Sequence, residues 1–341
     1  MILNGNAPES IAESVRLIQA GGLLGLPTET VYGLAADANS AQAVAAIFLA
    51  KGRPADHPLI VHVADASGVA HFAEPVPDFA ARLIAAFWPG PLTLILPRRE
   101  GVAQAAAGGQ NSIGLRCPSH AVAQALLIAL RDAAPPVWGL AAPSANQFGR
   151  VSPTTAAHVQ AEFGADLLIL DGGPCAVGIE STIVDCTRGQ PVLLRPGIIT
   201  PAQLQAVCGQ KVMEKKDLPV DMEPAPRASG TLEAHYAPTA KLRLMDARAL
   251  QTALDMLGAD MDSKGGDAPV IATYSRGVLR CASSKVLRRR MPDDAAATAQ
   301  QLFAVLRDFD AQGVKLIWVE SPPDAPEWQG VADRLGRAAA S

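Results

Sequence analysis

No apolar run in this chain of 341 residues approaches the roughly 20 that span a bilayer. The N-terminus has no basic start followed by a long apolar stretch, so no signal peptide is expected. The five cysteines, Cys117, Cys175, Cys186, Cys208 and Cys281, include no C-x-x-C pair. Such an odd, scattered set argues against a disulfide framework or a structural zinc site and fits reduced thiols. Together these absences lead to the expectation of a soluble cytoplasmic protein. Aromatic residues are scarce at 4%, so the core must be aliphatic. A strong excess of one charge is also lacking. The net charge of −4 argues against a dedicated nucleic-acid coat, though not against a local basic pocket. There is no P-loop, no G-x-G-x-x-G, no evident Ser-His-Asp order and no metal-ligand cluster.

What is present is an alternation of strands and helices long enough for two domains. Residues 23–26, 59–63, 92–96, 113–116, 140–142, 167–170, 182–185 and 192–195 are apolar runs of strand length. Between several of them lie helix-period segments: 41–51 after Ser40 as N-cap, 78–87, 121–131 and 155–163. The last has Ser152 as its expected N-cap and Pro153 at the first helical position. Thr200-Pro201 repeats that start signal before residues 202–207. The helix-free stretch 167–195 implies antiparallel pairing, hence a mixed, twisted sheet. Residues 211–229 carry charges and three prolines with little periodicity, as a linker does. Strands at 242–244, 270–273 and 316–320 and helices at 247–257 and 295–311 then predict a smaller parallel α/β, Rossmann-like domain. The expected layout is a first domain over residues 1–210, a linker over 211–240 and a second domain over 241–341.

The polar residues gather at strand ends. Pro27 has no N–H to donate and ends the strand before it. Thr28, Glu29 and Thr30 then crowd a turn closed by Gly33. Taken alone this is an ordinary strand-end turn. Lys51 and Arg53 follow a helix, where they serve either as solvated cations against its dipole or as a fork and a point charge for a polyphosphate. His62 interrupts an apolar strand. By period two, His62 and Ile60 share a face with Pro58, opposite Leu59, Val61 and Val63. A polar face on a central strand needs partners, which a cavity supplies. Ser112 and Arg116 flank another strand, and Arg at a strand end is a natural carboxylate clamp. Ser144, Ser152, Ser181 and Arg195 stand at further breaks. Ser152 and the amides of the helix start behind it could bind an anion. This inventory implies anion binding and positioning instead of covalent catalysis. It suits nucleotidyl transfer, where placement and charge neutralisation dominate.

At these residues the chain resembles the YrdC-like family of threonylcarbamoyl-AMP synthases in its two-domain form. The resemblance is carried by residues 27–34, Lys51-Gly52-Arg53-Pro54, residues 57–63, Trp88-Pro89-Gly90-Pro91-Leu92-Thr93, Arg116 with Pro118, residues 143–146, Ser152-Pro153-Thr154, residues 178–182 and residues 194–197. His235-Tyr236-Ala237-Pro238 resembles the motif that closes the linker in longer members. The resemblance implies that L-threonine, bicarbonate or CO2 and ATP give threonylcarbamoyl-adenylate and pyrophosphate, with Mg2+ on the phosphates. A separate transferase complex would then modify tRNA, itself a further candidate partner. By the same resemblance Thr30, His62, Arg116, Ala142 and Ser181 hold threonine, with Arg116 on its carboxylate. Arg53, His57, Ser112, Ser144, Ser152, Arg195 and Thr231 contact ATP, and Lys51 and Arg53 supply the catalytic charge. The linker is expected to fold over the pocket as a lid. The alternative is a non-catalytic module that grips double-stranded RNA.

Overall fold

The computed structural model describes residues 1–218, 225–232, 234–263, 270–281 and 283–341. Residues 219–224 and 233 of the expected linker lie outside the described residues, and with them part of the expected lid. The chain forms two units. One comprises Met1–Phe148 and Ser152–Thr231, the other Gly149–Val151 and Leu232–Ser341. The expected linker is therefore shared between them, its residues up to Thr231 belonging to the first.

The first unit is built on one mixed sheet. Its strands are β1 (Ile2–Asn4), β2 (Leu24–Leu26), β3 (Gly33–Asp37), β4 (Ile60–His62), β5 (Leu92–Pro97), β6 (Ser112–Arg116), β7 (Leu140–Ala141), β8 (Leu168–Asp171), β9 (Thr182–Asp185), β10 (Val192–Arg195) and β11 (Met213–Glu214). Their spatial order is β1-β8-β2-β3-β7-β4-β6-β5-β9-β10-β11. β9 and β10 pair antiparallel, as the helix-free stretch implies, whereas β4 and β6 run parallel. Residues 27–32 are a hairpin connection: β2 and β3 pair antiparallel around them, with Leu26 opposite Gly33.

Alternation along the strands decides what each face buries. Val61, Leu94, Leu115 and Val184 point into the largest apolar cluster, with Ile47 and Leu83 of the helices Ala41–Lys51 and Asp78–Phe87. The other face carries two smaller clusters among the described residues. On the β2–β7 side Leu24, Leu26 and Leu140 pack against Ile18 of the helix Pro8–Gln19 and Leu126 and Leu130 of Ala121–Arg131. On the β5–β10 side Ile95, Ile183, Val192 and Leu194 are packed by Leu218, Ala225 and Ala228 of the chain after β11. β4 and β6 lie between these two clusters in the strand order.

The second unit is a four-stranded sheet, parallel throughout: β12 (Lys241–Met245), β13 (Ile271–Ser275), β14 (Val286–Arg290) and β15 (Leu316–Glu320), in the order β12-β15-β13-β14. Leu250 and Leu254 of the helix Ala247–Ser263 pack on Ile271, Val286 and Trp318. The parallel α/β expectation is met, with β14 an additional strand that its Arg-rich sequence did not suggest.

Candidate active site

Strand register assembles the site. Ile60 pairs with Gly114 and His62 with Arg116 across β4 and β6. Gly114 faces Ile95 and Ser112 faces Pro97 across β6 and β5. Thr93 pairs with Ile183, and Ile183 with Arg195. Directly opposed residues share a face. Ile60, His62, Ser112, Gly114, Arg116, Thr93 and Arg195 therefore project from one side of the sheet. His62 and Arg116 on this side are buried.

Arg116 organises the buried half of the site. It is 4% exposed. Its Nε donates to Gly90 O at 3.3 Å and its Nη1 to Thr30 Oγ1 at 2.7 Å. Its Nη2 lies 2.7 Å from Glu29 Oε1, yet no N–H points along that line. Thr30 is placed by a staple. Thr28 Oγ1 donates to Val31 O at 2.6 Å and accepts from the N–H groups of Thr30 and Val31 at 3.2 Å. Since Thr28 spends its proton on Val31, the 2.9 Å contact between the two hydroxyls has Thr30 as donor. Burial pushes the Glu29 carboxyl up, but the Arg116 guanidinium outweighs it and holds it below its ordinary range. His62 is buried beside this pair, with no aligned partner for Nδ1. Burial, aided by the Arg116 cation, pushes its pKa down to about 3, so the imidazole is neutral. Ala142 adjoins β4, its N–H bonded to Ile60 O at 3.0 Å.

Arg195 links this half to its neighbour. Its Nε and Nη2 donate to Ser181 O at 3.0 Å and Ser181 Oγ at 3.1 Å, and its Nη1 to Ser229 O at 2.9 Å. Ser181 Oγ also meets Thr93 Oγ1 at 2.7 Å. Beside it lies a small recess lined by Pro58, Ile60, Ile95, Ser112 and Gly114 and by Arg227, Ala228 and Ser229 of the chain after β11. Arg53 Nη2 reaches this edge, donating to Pro58 O at 3.0 Å and Ser229 Oγ at 3.3 Å. Gln110 clasps Arg227 in both directions, accepting its N–H at 2.8 Å and donating to its carbonyl at 3.2 Å. Ser229, Arg227, Gln110 and Thr93 were missed from sequence. The first two sit in a stretch with no periodicity to betray them.

The remaining candidates fall elsewhere around the site. Lys51 is 2% exposed, and Nζ donates to the carbonyls of Ser144, at 2.6 Å, and Asn146. Gly52, at φ +60° and capping the helix that ends at Lys51, turns the chain toward Arg53. His57 meets the Phe148 ring edge-on at 5.6 Å. Thr231 donates to Ala228 O at 2.9 Å, closing a local turn. Ser152 needs a correction: it does not cap a helix. The helix is Ala156–Phe163, and Thr155 caps it by accepting from His158 N–H. Ser152 is buried and instead donates to Glu180 Oε1 at 2.5 Å, so the expected anion site at that helix start is not formed by Ser152.

A mixed α/β domain followed by a small parallel α/β unit is the architecture of the two-domain YrdC-like proteins. Residues 16–197 match the Sua5/YciO/YrdC family model, described as "Telomere recombination". Residues 199–340 match the family described as "Threonylcarbamoyl-AMP synthase, C-terminal domain". The chain is 38% identical over 340 residues to the threonylcarbamoyl-AMP synthase of Bacillus subtilis, covering 99% of this chain and 94% of that protein. It is 36% identical over 324 residues to that of Pyrococcus abyssi, covering 94% and 91%. The crystal structure of P. abyssi Sua5 complexed with L-threonine has a TM-score of 0.85 at 33% identity, covering 99% of this chain and 97% of that one. The chain belongs to the threonylcarbamoyl-AMP synthase family, and with it to the nucleotidyltransferase-type enzymes. That membership favours the enzyme over the non-catalytic RNA-binding alternative. Among the described residues no helix is long and apolar enough to cross a membrane.

Proposed function

We propose that this enzyme condenses L-threonine, bicarbonate or CO2 and ATP into L-threonylcarbamoyl-adenylate and pyrophosphate, for transfer by a separate complex to tRNA. The observation that carries the reading is the Arg116 cluster on this sheet face, together with Arg53 and Arg195, which both donate to Ser229 in the lining of the recess. Arg116 would take the threonine carboxylate, and neutral His62 would accept the threonine hydroxyl proton. Ser181 and Ala142 would close the amino-acid end. ATP would lie along the recess, with Ser112 and Arg195 near it and Arg53 and Lys51 toward the phosphates. His57, Ser144, Ser152 and Thr231 complete the proposed nucleotide set. A carbamate oxygen then attacks the α-phosphorus, the new O–P bond forms, and the bond to pyrophosphate breaks. The protein's part is placement and charge compensation. Mg2+ would accompany the triphosphate and neutralise charge on it. The test is incubation with ATP, bicarbonate and each amino acid. Pyrophosphate release that requires threonine is expected; release indifferent to it would reject the reading.

The recess makes a second prediction. A Cβ on Gly114 would lie 3.3 Å from Ile95 Cδ1 and 3.6 Å from Thr93 Cγ2, so alanine nearly fits and larger side chains enter the recess. Gly114→Val is expected to weaken binding of a non-hydrolysable ATP analogue. Overpacking of about 1–3 kcal/mol corresponds to roughly 5- to 150-fold. Calorimetric titration that finds unchanged affinity would remove the nucleotide from this recess.

A further inference from the structure

Glu29 is buried in the first unit and has no place in the set of residues assigned above. It is 6% exposed, and neither carboxylate oxygen has an aligned hydrogen bond among the described residues. Arg116 Nη2, 2.7 Å away, is equally unaligned. The backbone around Glu29 is rigid: its carbonyl accepts from Val177 N–H at 2.7 Å, and the Thr28 staple fixes the next two residues. Arg116 compensates the charge of Glu29, and the N–H groups of Glu29 and Ser119 also favour its ionised form, yet its oxygens keep acceptor capacity with no well-aligned donor. The fixed turn thus holds an acceptor beside the Arg116 fork, at the place assigned to the substrate carboxylate.

We propose that Glu29 receives the α-ammonium of the amino-acid substrate, a step that rests on the threonine-adenylating reading above. A free amino acid carries both charges. Arg116 alone answers the carboxylate and repels the ammonium, and neutral His62 offers the ammonium no counter-charge. Arg116 and Glu29 together match the zwitterion. The pair also changes role during the reaction. The ammonium first gives a proton to solvent; the amine and bicarbonate then give carbamate and water, the N–C bond forming as a C–O bond of bicarbonate breaks, so that the nitrogen end goes from positive to negative. Glu29 attracts the reactant and repels the carbamate, which favours its turning away from Glu29 toward the α-phosphorus.

The experiment measures binding of L-threonine and of (R)-3-hydroxybutyrate, the same molecule without the amine, to the full chain. The wild type is expected to prefer threonine strongly. Glu29→Gln is expected to lose about 30-fold or more in threonine affinity, the scale for truncating one partner of a buried charge pair. Its affinity for hydroxybutyrate should stay within about threefold, so that discrimination collapses. Glu29→Asp keeps the charge and should recover part of the preference. A folded Glu29→Gln that still discriminates as the wild type does overturns the proposal. If Glu29→Gln does not fold, Glu29→Asp decides: a loss confined to threonine supports it, whereas no loss, or an equal loss for both ligands, overturns it. A wild type with threonine-dependent pyrophosphate release but no preference for the amine overturns Glu29's role alone. A wild type that neither binds threonine nor releases pyrophosphate with it overturns the functional reading and this proposal with it.

Discussion

Arg116→Ala is expected to abolish threonine-dependent pyrophosphate release, with efficiency lower by roughly 30- to 4,000-fold, the equivalent of about 2–5 kcal/mol for a buried charge contact. It should also lower stability by about 3–5 kcal/mol, because Glu29 is left as an uncompensated buried charge. Two measurements separate these effects. Adding Glu29→Gln to Arg116→Ala should recover much of the stability and none of the activity, as expected for two contacting residues that do not act additively. Arg116→Lys should fall between, since one ammonium cannot reach Gly90 O, Thr30 Oγ1 and Glu29 with the fixed fork that Arg uses. The pH dependence has a definite sign. In the wild type Glu29 titrates below its ordinary 4.5, so its stabilising share is present above that pH and lost as pH falls through the depressed value. Without Arg116, burial alone raises that carboxyl, and protonation relieves the penalty. The stability gap between wild type and Arg116→Ala should therefore narrow as pH falls from neutral toward 5. Near wild-type pyrophosphate release in Arg116→Ala would reject the assignment of threonine to this site.

Lys51→Met is the second large effect. Methionine fills a similar volume without a donor, so two carbonyls, those of Ser144 and Asn146, lose the ammonium. Each buried group so deprived costs about 1–3 kcal/mol, and the loop bearing Ser144 is released. Affinity for an ATP analogue should fall tenfold or more, on the scale of about 1.4 kcal/mol per tenfold. Burial, with the nearby Arg53 cation, lowers the Lys51 pKa to about 7. The charge is thus lost as pH rises through that value, while a neutral amine keeps two N–H groups for the two carbonyls. Wild-type nucleotide affinity should therefore weaken as pH rises above 7, and Lys51→Met should remove that trend while keeping weak affinity throughout. Titrations at pH 6 and pH 8.5 check it; unchanged affinity in the variant would place Lys51 outside the nucleotide site.

Much of the site could be read before any coordinates. Period two placed Ile60 and His62 on one face, and Ile60 does floor the recess while Val61 enters the opposite core. Arg116 and Arg195 could be read as cations at strand ends, and both do end their strands, buried at 4% and 2% exposure. Thr200 was recognisable as a helix start, and its capping box with Gln203 is present. Ser152 misled because its serine-proline signal is shared by helix caps and by extended segments. A carboxylate distant in sequence, Glu180, accepts its hydrogen bond.

The chain's own order determined the α/β alternation, the second parallel domain and which face of each strand is polar. These depend on residues within one or two turns of each other, and local periodicity encodes them. Tertiary structure alone decided the strand order that brings β4 beside β6 and inserts β8 between β1 and β2. It decided that Glu29 meets Arg116, that Lys51 braces the Ser144 loop and that Ser229 bridges Arg53 and Arg195. Those partners are far apart along the chain. Their pairing follows from the sum of burial over the whole sheet, and no short window of sequence contains that sum.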